Sequence, residues 1–241
     1  VARKRIDTLM VEKGLAESRA KAQALIMAGE VSISGTPVAK SGTLVAEDIE
    51  ITIKEPLPYV SRGGIKLAHA LDAFQMDVLG AVVADIGAST GGFTDCLLQW
   101  GASKVYAIDV GYGQLDYRLR RDKRVVVMER TNARYPVSLP EKIDLATIDL
   151  SFISVIKVIS SAVALLKADG DLLVLVKPQF EAKRGEVGKG GIIKDPQIHA
   201  RVLGRFLKWA VGQRLRLKGL TASPILGSSG NREFFVRLKL T

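Results

Sequence analysis

The sequence predicts a mostly parallel, doubly wound α/β domain preceded by a small α+β unit, and three observations carry that prediction. From about Val60 onward, short apolar runs alternate with helical patterns. One of them, Val82-Val83-Ala84-Asp85-Ile86-Gly87-Ala88-Ser89-Thr90-Gly91-Gly92-Phe93-Thr94-Asp95, turns through three glycines into a helix. The first fifty or so residues instead pack two short helical patterns and several brief β-runs into one compact stretch.

Taken in order, Ile6, Leu9, Met10 and Leu15 mark a short amphipathic helix. Ser18 is placed to cap a second, in which Ala22, Leu25 and Ile26 recur at helical spacing and Gly29 supplies the stop. Val31-Ser32-Ile33, a turn at Ser34-Gly35, Thr36-Pro37-Val38, and Ile49, Ile51 and Ile53 alternating with polar residues read as β-structure. Arg5-Ile6-Asp7, Ser18-Arg19-Ala20-Lys21-Ala22 and Ile26-Met27-Ala28-Gly29-Glu30-Val31-Ser32-Ile33-Ser34-Gly35 resemble the S-four domain, a small RNA-binding module named after a ribosomal protein. The resemblance implies shape-selective RNA binding by basic side chains on the two helices. The local charge is near balance, so the module alone should bind weakly. Pro56 and Pro58 mark a linker, which gives a domain over 1–53, a linker over 54–60 and a larger domain over 61–241.

In the larger domain the strand candidates are residues 81–85, 105–109, 125–128, 145–149, 172–177, 215–221 and 234–238. The last two, joined by Ser223-Pro224 and Gly227-Ser228-Ser229-Gly230, read as a closing antiparallel hairpin. A dinucleotide fingerprint places G-x-G-x-x-G directly after its strand. Here Asp85 closes the apolar run and the glycines fall at 87, 91 and 92. A carboxylate there repels a pyrophosphate and suits a cationic, amino-acid-like moiety such as the methionine part of S-adenosylmethionine. A tight turn without ligand is the alternative reading of the same glycines.

Bulk properties bound the function. The 241 residues are 47% hydrophobic and 25% charged, enough for a full core in one or two domains. The apolar runs at 159–166 and 172–176 fall short of the ~18 residues that span a bilayer. Asp7, Glu12 and Lys13 interrupt any apolar segment after Arg3, Lys4 and Arg5, so neither a signal peptide nor a membrane span is expected. A single cysteine, Cys96, permits no internal disulfide and suits a reducing cytoplasm; its spacing from Phe93 and Trp100 reads as core. The net charge of +10 sits in residues 182–241, which carry thirteen Lys/Arg against three Asp/Glu, while the rest of the chain balances. Clustered cations favour a polyanion partner, although a solvated basic face has the same composition. The only histidines, His69 and His199, read as surface or helix-packed, and no metal is expected. Gly185-Glu186-Val187-Gly188-Lys189-Gly190-Gly191 lacks a P-loop ending and reads, with Lys183, Arg184 and Lys194, as a flexible basic loop.

In a doubly wound sheet ligands collect where the strands end at their C-termini, so the polar residue closing each apolar run is the informative one. Those residues are Asp85, Asp109, Asp149 and Lys177. Asp109 falls where an acid accepts hydrogen bonds from ribose hydroxyls. Lys177 ends a buried run, so its pKa should fall unless carboxylates offset the lost hydration. Such a lysine can take a proton from a substrate hydroxyl or orient it; a plain salt bridge to Asp149 is the alternative.

Six motifs together resemble the TlyA-type, or hemolysin A, ribosomal RNA 2′-O-methyltransferases, whose catalytic domain is like that of the FtsJ heat-shock methyltransferase. They are Tyr59-Val60-Ser61-Arg62-Gly63-Gly64-Ile65-Lys66-Leu67, the 85–94 loop, Ala107-Ile108-Asp109-Val110-Gly111, Asp149-Leu150-Ser151-Phe152-Ile153-Ser154, Val176-Lys177-Pro178-Gln179-Phe180-Glu181 and Gly230-Asn231-Arg232-Glu233-Phe234-Phe235. The resemblance implies a Rossmann-like class I methyltransferase fold, with a mostly parallel seven-stranded sheet and helices on both faces. It places a Lys-Asp-Lys-Glu catalytic tetrad on Lys66, Asp149, Lys177 and Glu233. The cofactor would be S-adenosylmethionine, met by Asp85, Gly87, Ser89, Gly91, Gly92 and Phe93 at its methionine end, Asp109 at the ribose, Val110 at the adenine and Asn132 at the adenine edge. Arg3, Lys4, Arg5, Arg19, Lys21, Arg62, Lys183, Arg184 and Lys189 would contact RNA. The implied reaction is 2′-O-methylation of a cytidine in ribosomal RNA, free or in ribosomal subunits, with the subunit and the oligomeric state left open. A lytic toxin, as in the family's historical name, lacks any supporting apolar segment. A non-catalytic ribosome assembly factor conflicts with the intact tetrad, and a nicotinamide-dependent oxidoreductase with the glycine spacing.

Overall fold

A computed structural model describes residues 3–54 and 57–240. The chain divides into two compact units, residues 1–57 and 58–241. Of the expected 54–60 linker, Glu55 and Pro56 lie outside the described residues, as do Val1, Ala2 and Thr241 at the outer ends of the two expected domains.

The first unit runs β1 (Arg3–Arg5), α1 (Ile6–Glu12), α2 (Arg19–Met27), β2 (Val31–Ile33), β3 (Thr36–Pro37), β4 (Leu44–Ala46) and β5 (Ile51–Ile53). Ser18 caps α2 by accepting from the Lys21 N–H at 3.2 Å, and Gly29 ends it at φ +72°. β2 pairs antiparallel with β3 and β5, and β1 with β4. The β1–β4 pair escapes sequence patterning because Arg3-Lys4-Arg5 has no apolar residue to alternate. Ile6, Leu9, Met10, Ala22, Ile26, Val31 and Val45 form the core.

Asp7 is fully buried in this unit and organises its basic residues. Arg5 binds it through Nε at 3.0 Å and Nη2 at 2.8 Å, Arg19 through Nε at 3.0 Å and Gln23 through Nε2 at 2.9 Å. These partners, Arg5 first, hold the Asp7 carboxyl well below the usual carboxylate range. Arg5 and Arg19, both expected to contact RNA, are exposed and are at the same time bound to this buried acid. Lys4 likewise pairs with Glu12 at 2.9 Å and Glu47 at 3.2 Å. Arg3 and Lys21 are exposed.

The second unit contains α3 (Arg62–Ala73), β6 (Val82–Ile86), α4 (Gly92–Gln99), β7 (Lys104–Ile108), α5 (Tyr117–Arg121), β8 (Val125–Met128), β9 (Ile143–Ile148), α6 (Ile156–Leu165), β10 (Leu166–Val176), α7 (Pro178–Glu181), a 3-10 turn (Lys189–Gly191), α8 (Pro196–Gly212), β11 (Leu215–Ala222) and β12 (Phe234–Leu240). The seven strands lie in the order β11-β12-β10-β9-β6-β7-β8. β10, β9, β6, β7 and β8 are mutually parallel, and β12 runs antiparallel between β10 and β11. One face packs beneath α6 and α8 through Ala84, Ile148, Ile159, Val174 and Phe206. The other packs beneath α3 and α4 through Leu67, Leu71, Leu97, Val83 and Phe235. This is the seven-stranded class I methyltransferase arrangement with helices on both faces. The expected hairpin is present, but its second strand is interior to the sheet.

In the unfolded chain Asp7 titrates near 3.8, and in the folded unit it titrates lower. Its contribution is thus present above that pH and is lost as pH falls through the folded value. Asp7→Ala is expected to destabilise this unit by about 2 kcal/mol at pH 7, because several charge-assisted bonds to a buried acceptor vanish. Chemical denaturation at pH 7 and pH 3 checks it: the gap between wild type and variant should shrink at pH 3, and a constant gap contradicts the role of the charge.

Candidate functional site

The parallel strands β6, β7 and β9 end together, and the backbone there is shaped by charge and by missing side chains. Gly87 sits at φ +88°, and a Cβ on it would lie 2.1 Å from the Asp149 carbonyl oxygen. Only glycine lets the chain leave β6 so close to the end of β9. The N–H groups of Gly87 and Ala88 donate to the Ile108 carbonyl at 2.8 and 3.2 Å, which joins the loop to the end of β7. Asp109 accepts from Ser89 N at 2.8 Å and Gly111 N at 2.6 Å, so the acid after β7 fixes the loop after β6.

These loops border a cleft of about 560 Å³. Ile86, Ile108 and Val158 give it an apolar wall; Gly87, Ser89, Asp109, Asn132, Asp149 and Ser151 give it polar points. Its volume falls in the ~300–1,000 Å³ range of small-ligand pockets. A bare glycine backbone, a carboxylate at the end of the second strand and an apolar slot beside it are what a nucleoside with an amino-acid tail requires.

Of the residues expected around a cofactor, Gly87, Ser89, Asp109, Val110 and Asn132 line this cleft, whereas Asp85, Gly91, Gly92 and Phe93 do not. Asp85 is inside β6 rather than at its end, fully buried, and accepts from Thr94 Oγ1 at 2.7 Å and Thr147 Oγ1 at 3.1 Å. Its carboxylate ties β6 to α4 and β9 beneath the loop. Gly91 caps α4 at φ +95° against Leu119 and Leu115. A Cβ on Gly92 would lie 2.2 Å from Ser61 Oγ and 3.1 Å from Gly63 Cα, so this glycine lets α3 approach α4. Phe93 is buried and stacks on Phe235 at 6.0 Å. At Gly91 and Gly92 the packing of neighbouring side chains and of α3 already requires glycine, the same demand that close approach to a ligand makes.

The close packing of α3 on α4 has a chemical result: Lys66, on α3, is buried and bonds Glu233 Oε2 at 2.5 Å. Glu233 immediately precedes β12, whose antiparallel direction carries its start to the edge where β10 ends. Continuing the pairing of Val176 with Phe234 by one residue sets Lys177 opposite Glu233. Lys177 is buried, lies 2.7 Å from Asp149 Oδ1 and donates to Ser151 Oγ at 3.0 Å. The Asp149 contact is an ion pair by distance but lacks hydrogen-bond geometry, which leaves Oδ1 an under-used buried acceptor. The tetrad is thus two lysine–carboxylate pairs at one sheet edge. Buried ion pairs are weak stabilisers because desolvation cancels most of their attraction, so two of them beside a ligand-sized cleft point to chemistry rather than to stability.

Sequence reasoning missed the braces of this edge. Glu181 accepts from Ser154 Oγ at 2.6 Å and Val155 N at 2.7 Å, pinning the Asp149 loop to the turn after Lys177; burial raises its carboxyl above the usual range. Phe152, 91% exposed at φ +65°, rests on Phe180 at 5.4 Å. The 185–191 loop is anchored rather than free, because Glu186 takes a bidentate pair from Arg205 at 3.0 and 2.6 Å. Arg62, Lys183, Arg184 and Lys189 are exposed. Cys96 is core, with burial pushing its thiol up to about 12. Among the described residues no helix is long and apolar enough to cross a membrane and no metal-ligand cluster exists.

Residues 59–240 match the model of the FtsJ-like methyltransferases, and residues 4–51 that of the S4 domain. A Bacillus subtilis protein provisionally named the rRNA methyltransferase YqxC is 49% identical over 98% of this chain and 85% of its own length. The Mycobacterium tuberculosis 16S/23S rRNA (cytidine-2′-O)-methyltransferase TlyA is 46% identical over 98% of this chain and 90% of its own. A solved structure from Streptococcus thermophilus, provisionally named a hemolysin, is 43% identical and superposes with a TM-score of 0.77 over 99% of this chain and 89% of that one.

Burial pushes the Asp85 carboxyl up to about 7, from 3.8 in the unfolded chain. A raised acid contributes stability at low pH that is lost as pH climbs through the folded value. Stability should therefore fall between about pH 4 and pH 7, and Asp85→Asn should flatten that slope. Denaturant midpoints at pH 5 and pH 8 check it; an unchanged slope in the variant contradicts the assignment.

Proposed function

This chain belongs to the FtsJ-like methyltransferase family, and on that premise we propose that it methylates the ribose 2′-hydroxyl of a cytidine in ribosomal RNA. It is a methyltransferase whose cofactor is S-adenosylmethionine. The observation that carries the proposal is the pairing of Lys177 with Asp149 at the lip of the cleft that Gly87 and Asp109 shape. The substrate class rests on the S4 domain, on the cationic surplus of residues 182–241 and on the named activity of the Mycobacterium tuberculosis relative. A ribosomal RNA substrate supports a cytoplasmic reading of its location.

The cofactor supplies a methyl group on a sulfonium, already activated for displacement. Asp109 would hold the ribose hydroxyls, the bare backbone at Gly87 the amino-acid end, Val110 the adenine and Asn132 its edge. What remains for the protein is the nucleophile, because a ribose 2′-hydroxyl is weak until its proton is held or removed. Lys177 stands against Asp149 and Ser151, which line the cleft and fix its position. Once its own ammonium proton has gone to solvent, Lys177 would take the proton of the hydroxyl as the methyl group is transferred. The Lys66–Glu233 pair closes the other side, and Glu233, opposite Lys177 in register, supplies the second carboxylate. Alignment of oxygen, carbon and sulfur supplies the rest of the acceleration. The exposed cations Arg3, Lys21, Arg62, Lys183, Arg184 and Lys189 contact phosphates. The lytic reading finds no support in the described residues, which form a folded sheet with its charged edge assembled for transfer chemistry.

Transfer of labelled methyl to ribosomal subunits and to naked ribosomal RNA, with nuclease mapping of the product, tests the proposal. Wild type should place label in 2′-O-methylcytidine. Lys177→Ala should lower the rate by at least ~10²-fold while RNA and cofactor affinities change less than about threefold. Equal loss of rate and of RNA affinity contradicts the role of Lys177, and label on a base atom contradicts the ribose assignment.

A further inference from the structure

Asn231 is 1% exposed, and its side-chain amide is used at both ends. Oδ1 accepts from Ile193 N at 2.9 Å and Nδ2 donates to Gly191 O at 2.9 Å, while its own carbonyl accepts from Gly227 N at 2.9 Å. One residue thereby joins the 188–193 loop to the turn that enters β12. Ile193 is held at its carbonyl as well, by His199 Nε2 at 3.0 Å, and the His199 ring meets Phe234 edge-on at 5.6 Å. Asn231 lies two residues before Glu233, so the loop cannot shift without disturbing the catalytic edge.

The charges that this clamp sets in place have no carboxylate to neutralise them. Lys189 lies two residues before Gly191, Lys194 directly follows Ile193, and Arg232 directly follows Asn231. Lys189, Lys194 and Arg232 are exposed, and none is within ion-pairing distance of an acid among the described residues. The acids nearby are already engaged: Glu186 by Arg205, and Asp195 as the cap of α8, accepting from Gln197 N at 2.8 Å. A neutral amide buried at such a junction keeps its shape at any pH and adds no charge of its own to the patch.

We propose that Asn231 is a positioning residue that clamps the 188–194 loop to the start of β12, so that Lys189, Lys194 and Arg232 form one phosphate-binding arm beside Glu233. The ligand is the phosphodiester backbone flanking the target nucleotide, so the inference rests on the RNA-methylating reading and adds a subsite to it. The arm acts through ground-state binding of RNA. Its loss appears in KM for RNA and in salt dependence, with smaller effects on kcat and none on the cofactor cleft.

The test compares wild type, Asn231→Ala, Asn231→Asp, the triple variant Lys189→Ala/Lys194→Ala/Arg232→Ala, and the triple variant combined with Asn231→Ala. Naked ribosomal RNA serves as probe for filter binding at several salt concentrations and for methyl-transfer kinetics. The triple variant should raise KM for RNA at least tenfold and flatten the log–log salt dependence of binding by about 2, since each phosphate contact contributes ~0.7–0.9. Asn231→Ala should raise KM about fivefold in the wild-type background and have little further effect in the triple variant, because the clamp works through those cations. Asn231→Asp keeps the acceptor for Ile193 N but sets a carboxylate oxygen against the Gly191 carbonyl and a negative charge in the patch, so it should raise KM at least as much as Asn231→Ala. An unchanged salt slope in the triple variant, or an Asn231→Ala effect of equal size in both backgrounds, overturns the proposal. Should Asn231→Ala fail to fold, the salt slope of the triple variant still decides. If wild type binds this RNA but transfers no methyl group to it, the reading of the reaction fails while the binding comparison still judges the arm.

Discussion

The direction of a single strand governs this site. β6, β9 and β10 are parallel and end at one edge, so Asp149 and Lys177 arrive there from different parts of the chain. β12 is antiparallel and begins at the same edge, so Glu233 arrives from its N-terminal side. A parallel β12 would send Glu233 to the opposite end of the sheet. The cleft, the proton acceptor and the second carboxylate therefore share one place because six β10–β12 register pairs fix them there.

Electrostatics explain why the site persists in a buried setting. Each lysine of the tetrad meets a carboxylate, so neither cation is stranded at low exposure. Removing one member of such a pair leaves an uncompensated buried charge, at a cost of about 3–5 kcal/mol. A pair of apolar residues would serve stability as well, so retention of four charges at the edge follows from what the edge does. Asp85 shows the complementary solution: beneath the loop, two threonine hydroxyls satisfy a carboxyl that burial drives toward its neutral form.

Much of this was legible in the sequence because the doubly wound plan ties chemistry to strand ends. Alternation located every strand of the large sheet to within a few residues, except the start of β10, where Lys167, Asp169 and Asp171 break the apolar run. Asp109, Asp149 and Lys177 were found by asking what closes each apolar run. Gly91, Gly92 and Phe93, expected around the cofactor, have packing contacts that spacing did not reveal, since glycine announces a close approach without naming what approaches. The hold of Asp7 on Arg5 and Arg19 was not legible, because the pairing with Arg19 is nonlocal and composition conceals it. The bracing roles of Asn231 and Glu181 were not legible, because such a hydrogen bond has no signature until its backbone partners are known.

The central claim is that Lys177 removes the proton while the rest of the edge holds the reactants. Single-turnover methyl transfer by Lys177→Arg tests it most directly, since guanidinium retains the charge and the carboxylate pairing but does not give up its proton near neutral pH. The account predicts that this variant binds cofactor and ribosomal RNA as wild type does and transfers methyl at least ~10²-fold more slowly across pH 6–9. A rate within a fewfold of wild type would contradict it and reduce Lys177 to a cation that orients the hydroxyl.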